Sequence, residues 1–274
     1  MKKITILDST LRDGAQAEGI SFSVSDKINI CLALDELGVS FIEAGNPFSN
    51  PKDIEFFKAA AGLKLKNAVL TAFGSTRRKN AKCAEDANLN ALAAAGTEAV
   101  SIFGKSWDFH VTDILKATKE ENLAMIGESV AYLKALGKTV VYDAEHFFDG
   151  YKNNREYALQ TVRAAAAAGA DVVSLCDTNG GCFPSEIAEA VRAVKAAISC
   201  PVGVHAHDDT GCGVANSVEA VLAGAEHVQG TLVGYGERCG NANLSAIIPD
   251  LQLKCGVACV AGDLKNLTEI ARRV

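Results

Sequence analysis

Eight short runs rich in β-branched residues are spread along the chain with helical stretches between most of them, and this alternation limits the possible folds more than any other feature. The runs are ITILD (4–8), SFIEAG (40–45), NAVLTAF (67–73), EAVSIF (98–103), TVVYDA (139–144), DVVSLCD (171–177), VGVHAH (202–207) and HVQGTLV (227–233). Between them, Ala/Leu/Lys/Glu-rich segments of helical period cover Val24–Leu37, Lys79–Ala95, Glu120–Leu136, Asn153–Ala168, Ser185–Ile198 and Gly213–Ala223. Several end at a glycine able to take the left-handed conformation that closes a helix: Gly38, Gly96, Gly137, Gly169 and Gly224.

Strand–helix alternation implies parallel strands, and near-continuous apolar runs suit a sheet covered on both faces. The expectation is an α/β fold, a (β/α)8 TIM barrel forming a single domain over residues 1–274. At 274 residues, 49% of them apolar and 22% charged, the chain can bury one core of that size. An open doubly wound sheet would carry a glycine-rich phosphate loop after its first strand, whereas that position reads STLRDGAQAEG (9–19).

A net charge of −6 without blocks of like charge removes the electrostatic attraction that nucleic-acid binding needs. No run reaches membrane-spanning length, and only four residues of an apolar stretch precede Asp8, so no secretory signal is expected and the protein is read as cytoplasmic. Nine cysteines lie scattered with no C-x-x-C pair, which points to reduced, mostly buried thiols and away from zinc ribbons or dithiol redox chemistry.

In such a barrel the chemistry sits at the C-terminal ends of the strands. The polar residues there are Arg12, Asp13 and Gln16 after the first run; Glu43 and Asn46 after the second; and Asp143, Glu145 and His146 after the fifth. The last three runs add Asp177, Thr178 and Asn179, then His205, His207 and Asp208, then Glu237, Arg238 and Asn241. His205-Ala-His207 is the sharpest signal, because residues i and i+2 of a strand share a face and two imidazoles can grip one ion. Asp13, on the same rim, is the best third ligand, and Asn241 could add a neutral oxygen or serve as a turn residue beside Gly240. Such a set suits a divalent metal, Mg, Mn, Zn or Co, without choosing among them.

Arg12 would place a fixed positive charge beside the ion, to clamp a carboxylate or steady an oxyanion, or would simply pair with Glu43. Glu145 is a candidate proton carrier or positioning carboxylate, with an ordinary ion pair as the alternative. The Thr178 hydroxyl could meet a substrate carboxylate or close a strand-end turn. GSTRRKN (74–80) reads as a solvated helix start at Ser75 or Thr76, with arginines that could alternatively meet cofactor phosphates.

Three segments in order, DSTLRDGAQ (8–16), HAHDDTGCGVANSVEAV (205–221) and GYGERCGNANL (234–244), resemble the signatures of the DRE-type metal-dependent barrel family. That family includes isopropylmalate, homocitrate and citramalate synthases with related lyases and aldolases. GERCGNA looks like the Claisen synthase branch. GISFSVSDKI (19–28), NPKD (50–53) and AEHFFDGYKNNREYAL (144–159) are most similar to its citramalate synthases.

The resemblance implies an acyltransferase of amino-acid biosynthesis that condenses acetyl-CoA with a 2-oxo acid, pyruvate being favoured, to give citramalate. Isopropylmalate or homocitrate synthesis, retro-aldol or acyl-CoA cleavage on the same scaffold, and a barrel that binds metal without efficient turnover are the alternatives. By resemblance Asp13, His205 and His207 are metal ligands with Asn241 at or near the ion. Arg12 steadies the polarised carbonyl, Arg12, Gln16, Glu145 and Thr178 bind substrate, and Arg12 and Glu145 are catalytic. A homodimer is implied too, and because family synthases continue into a helical subdomain, that part is expected to be absent from a chain ending at Val274.

Overall fold

The computed structural model describes residues 2–274, in which eight parallel strands pair in chain order and close on themselves. They are β1 (Thr5–Asp8), β2 (Phe41–Glu43), β3 (Val69–Ser75), β4 (Ala99–Lys105), β5 (Thr139–Glu145), β6 (Val172–Asp177), β7 (Val202–Ala206) and β8 (His227–Gly230). Closure is made by β1 against β8, with Thr5 beside His227 and Asp8 beside Gly230. The expected TIM barrel is therefore the fold.

The surrounding helices are α1 (Val24–Leu37), α2 (Pro51–Ala60), α3 (Ala87–Ala94), α4 (Lys119–Ala135), α5 (Phe147–Asn153), α6 (Arg155–Ala167), α7 (Pro184–Ala197), α8 (Gly213–Leu222), α9 (Leu244–Pro249) and α10 (Leu267–Arg272). Strand residues such as Ile6, Ile42, Val100, Val140, Val173 and Val204 join the helices in one apolar layer, while Leu7, Val141, Val172 and Phe41 form a small separate cluster. The alternation of side chains along each strand produces this division. Among the described residues no helix is long and apolar enough to cross a membrane, and all nine cysteines are free.

Helix boundaries follow local capping. Ser23 accepts from the Asp26 amide while Asp26 accepts from the Ser23 amide, a reciprocal cap that starts α1 where the periodicity begins. Gly38, Gly96, Gly137, Gly169 and Gly224 all have positive φ, as expected of helix-closing glycines.

Four boundaries differ from the sequence reading. The helix expected from Lys79 begins only at Ala87, because Asp86 accepts from the amides of Asn88 and Leu89. Its other oxygen accepts from the Arg78 amide and holds the preceding segment non-helical. No helix starts at Ser75 or Thr76, since β3 runs to Ser75 in register with Phe103. Arg77 is not solvated: it is buried and its guanidinium meets Glu121 and Glu128, each at 2.7 Å. The helix expected over Asn153–Ala168 starts only at Arg155 and follows a separate α5 that ends at Asn153; the break is Asn154, whose backbone (φ −147°, ψ 79°) is non-helical and whose side chain accepts from the Tyr157 amide. β8 stops at Gly230 rather than 233, where a Cβ would lie 2.4 Å from the Ala242 carbonyl oxygen.

Candidate metal centre

The strand ends surround a cavity of about 260 Å3 lined by Arg12, Asp13, Gln16, Phe73, Phe103, Asp143, Glu145, Cys176, Thr178, His205, His207, Gln229 and Glu237. Seven of the eight expected site residues line it. Asn241 lies just outside the lining, bridged to His207 through the backbone.

At its floor, Asp13 Oδ2 is 3.3 Å from His205 Nε2 and 4.0 Å from His207 Nε2, and the two Nε2 atoms are 3.3 Å apart. All three residues are buried, and one ligand atom from each falls within a 4.8 Å sphere of mutual distances. The chain reaches this arrangement because β7 sends His205 and His207 to one face and the turn after β1 brings Asp13 beneath them. In that turn the Asp13 amide donates to the Ser9 carbonyl at 2.8 Å.

Unsatisfied buried acceptors mark the same spot. Asp13 Oδ1 and Asn241 Oδ1 have no hydrogen-bond partner among the described residues, although the Asn241 amide nitrogen donates to the Tyr235 carbonyl at 3.0 Å. Buried oxygens left this way cost about 1–3 kcal/mol each unless something binds them. Carboxylate, amide oxygen and two imidazoles are the donor set of a catalytic divalent ion with open positions, so the residues present fit a metal.

Electrostatics favour an ion further. Burial alone would push the Asp13 carboxyl up, but Arg12, His205 and His207 outweigh it and hold it well below the usual carboxylate range. Burial and the neighbouring His205 push His207 down to about 3, leaving its ring neutral and its lone pair available. Burial opposes protonation of His205 too, yet the contact with Asp13 outweighs it and moves His205 up. A proton and a metal therefore compete for the same lone pairs.

Arg12 makes both contacts weighed from the sequence. Its Nε donates to Glu43 at 2.6 Å and its Nη1 lies 3.3 Å from Asp13, while the guanidinium stacks 3.8 Å from the Phe73 ring centre and still lines the cavity. Ser9 donates to the same Glu43 oxygen at 2.7 Å, fixing the clamp from behind. Glu145 is ion-paired with Lys105 on β4. The Thr178 hydroxyl accepts from the His146 amide at 2.9 Å, which leaves its proton free to point into the cavity. His146 itself sits at φ 53° and pairs with Asp149 at 3.0 Å.

Asp177, Asp208 and Arg238 are used for architecture, whereas Asp143 and Glu237 line the cavity. Asp177 accepts from the amides of Gly181 and Cys182. Asp208 accepts from Gly213 at the start of α8, and Arg238 ties Asp209 to the Thr178 carbonyl.

Gln229, Phe73, Phe103 and Cys176 reach the cavity without having been singled out, and Lys105 meets it only through its ion pair with Glu145. Gln229 had a signal, a polar side chain inside an otherwise apolar barrel strand, and Lys105 stood just beyond the fourth run. Phe73 and Phe103, stacked at 5.5 Å, carry no mark that separates them from core aromatics.

The HMGL-like family model matches residues 3–274. The chain belongs to the HMGL-like family. Among its relatives, (R)-citramalate synthase of Aquifex aeolicus is 57% identical over 100% of this chain and 52% of its own length. That of Sulfolobus acidocaldarius is 53% identical over 100% and 53%. The chain thus spans about half the length of the curated relatives it matches. A solved HMG-CoA lyase from Brucella melitensis superposes with a TM-score of 0.81 over 100% of this chain and 98% of that one; at 19% identity the likeness is one of HMGL-like fold alone.

Proposed function

We propose that this HMGL-like barrel carries the catalytic site of a condensation between acetyl-CoA and pyruvate that yields citramalate and free CoA. The observation that carries the reaction class is the buried Asp13–His205–His207 cluster with Arg12 beside it at the floor of a small cavity. The acceptor is argued from likeness: the relatives 49–57% identical over 98–100% of this chain are named (R)-citramalate synthases.

Asp13, His205 and His207 would hold the ion, and Asn241, bridged to His207 through the backbone and with its buried Oδ1 unpartnered, would join them. When bound, a divalent metal supplies Lewis acidity toward the 2-oxo acid. Arg12, fixed by Glu43, faces the keto oxygen and stabilises the negative charge that gathers there as the acetyl methyl carbon bonds to C2 of pyruvate. Thr178 donates its hydroxyl to the pyruvate carboxylate. Glu145, paired with Lys105, takes the proton lost from the acetyl methyl group and returns it to the alkoxide formed at C2, and Gln16 lines the same cavity. The stacked Phe73 and Phe103 supply the apolar wall of the same cavity. Hydrolysis of the thioester then consumes one water and releases CoA, which balances the reaction. A homodimer, implied by the motif resemblance, and the cytoplasmic location expected from the sequence belong to the same proposal, and sedimentation velocity tests the dimer.

The decisive assay incubates the protein with acetyl-CoA, Mg2+ or Mn2+ and a panel of 2-oxo acids and follows thiol release. Release with pyruvate is the expected result. Preference for 2-oxoisovalerate or 2-oxoglutarate would move the acceptor, acyl-CoA cleavage would move the reaction class, and metal binding without release would reduce the barrel to a binding unit.

A further inference from the structure

We infer that Gln229 is the positioning residue for His205, holding its imidazole in the one tautomer and orientation that turn Nε2 toward Asp13 and His207. The inference rests on the reading of that cluster as a metal site.

Gln229 is 1% exposed on β8, inside the barrel. Its amide oxygen lies 3.1 Å from His205 Nδ1, and its amide nitrogen donates to Asp143 Oδ1 at 2.7 Å. Asp143 belongs to β5, which is not a neighbour of β8 in the closed sheet, so this bond crosses the interior. The second Asp143 oxygen accepts from Ser101 Oγ on β4 at 2.6 Å. Ser101, Asp143, Gln229 and His205 therefore form one chain of hydrogen bonds across four strands.

Direction along this chain follows from donor chemistry. A carboxylate only accepts, so the Gln229 NH2 group must face Asp143 and its oxygen must face the imidazole. An oxygen there requires the proton on Nδ1, which leaves the lone pair on Nε2, the atom 3.3 Å from Asp13. Ligating histidines commonly donate their other ring N–H to an oriented acceptor, and loss of that acceptor weakens metal affinity about 10–100-fold. His207 has no such support, because its Nδ1 lacks a partner among the described residues. Orientation by a side chain is thus confined to one of the two imidazoles, and Gln229 provides it.

The test measures Mn2+ affinity by chelator competition, with the melting temperature in excess chelator as a separate check on folding. Gln229→Met keeps the volume and removes the acceptor; it should bind Mn2+ about 10–100-fold more weakly while melting within a few degrees of wild type. Gln229→Glu keeps an acceptor oxygen toward Nδ1 while its other oxygen shares a proton with Asp143, whose carboxyl burial already pushes up to about 6, and it should restore affinity to within about threefold of wild type. Should Gln229→Met fail to fold, Gln229→Asn, which withdraws the amide by one methylene, should show the same weakening. Equal affinity in wild type and Gln229→Met, or equal losses in the Met and Glu variants, would overturn the inference. Absence of Mn2+ binding by the wild type would instead overturn the metal reading beneath it.

Discussion

Two buried carboxyls at the mouth of the barrel respond oppositely to their surroundings, and each has a measurable consequence. Asp13 lies beside Arg12 and is held ionised, whereas Asp8, at the end of β1, is pushed up to about 7 by burial, with the nearby Glu43 adding to the effect against the Thr10 amide. Its unfolded-state pKa is about 3.9. Between those limits the folded chain binds more protons than the unfolded one, so this group's contribution to stability is present below pH 4 and is lost as pH rises through 7. Asp8→Asn should therefore flatten the fall in urea midpoint between pH 5 and 8, measured in chelator to exclude metal linkage; parallel profiles for the two proteins would contradict this. Arg12 is held by its fork, Nε to Glu43 and Nη1 toward Asp13. Lysine cannot make both contacts, so Arg12→Lys should slow thiol release about 100-fold or more, by loss of a fixed donor to the growing oxyanion. Mn2+ affinity should change little, and kinetics beside chelator competition would separate the two effects.

Close approach between elements constrains the rim as tightly as charge does. Gly150, inside α5, passes so near the β4–α4 connection that a Cβ would sit 2.2 Å from the Ser106 carbonyl oxygen. Gly150→Ala should cost about 1–3 kcal/mol by overpacking, read as a lowered urea midpoint at unchanged slope. The opposite sign, a gain in stability from better helix propensity, would show that the connection yields. Neither α5 nor the break at Asn154 was legible in the sequence, because a continuous helical pattern spans the junction and only the cap made by Asn154 divides it. The strands and the five helix-closing glycines were legible, since apolar runs and glycine stops are local signals. The His-x-His pair was legible for the same reason. The roles of Gln229 and Lys105 were not, because they come from partners on other strands: Asp143, which only barrel closure brings to Gln229, and Glu145, which β4–β5 pairing sets beside Lys105.

Closure of β1 against β8 is what makes the site a property of the whole molecule, since it brings Asp13 from the start of the chain under His205 and His207 from near its end. An ion bound there clamps the closing seam and should stabilise the folded state alone. At about 100 times its dissociation constant it would add about 2.7 kcal/mol. That corresponds to a rise in melting temperature of several degrees for a chain of this size. Scanning calorimetry with and without Mn2+, reversed by chelator, checks this. The most direct test counts the ion and its ligand together, by metal analysis and pyruvate titration calorimetry on wild type and Asp13→Ala. The site described here predicts one divalent ion per wild-type chain, pyruvate binding only when that ion is present, and loss of both in Asp13→Ala. An ion retained by Asp13→Ala, or pyruvate bound equally well after chelation, would contradict it.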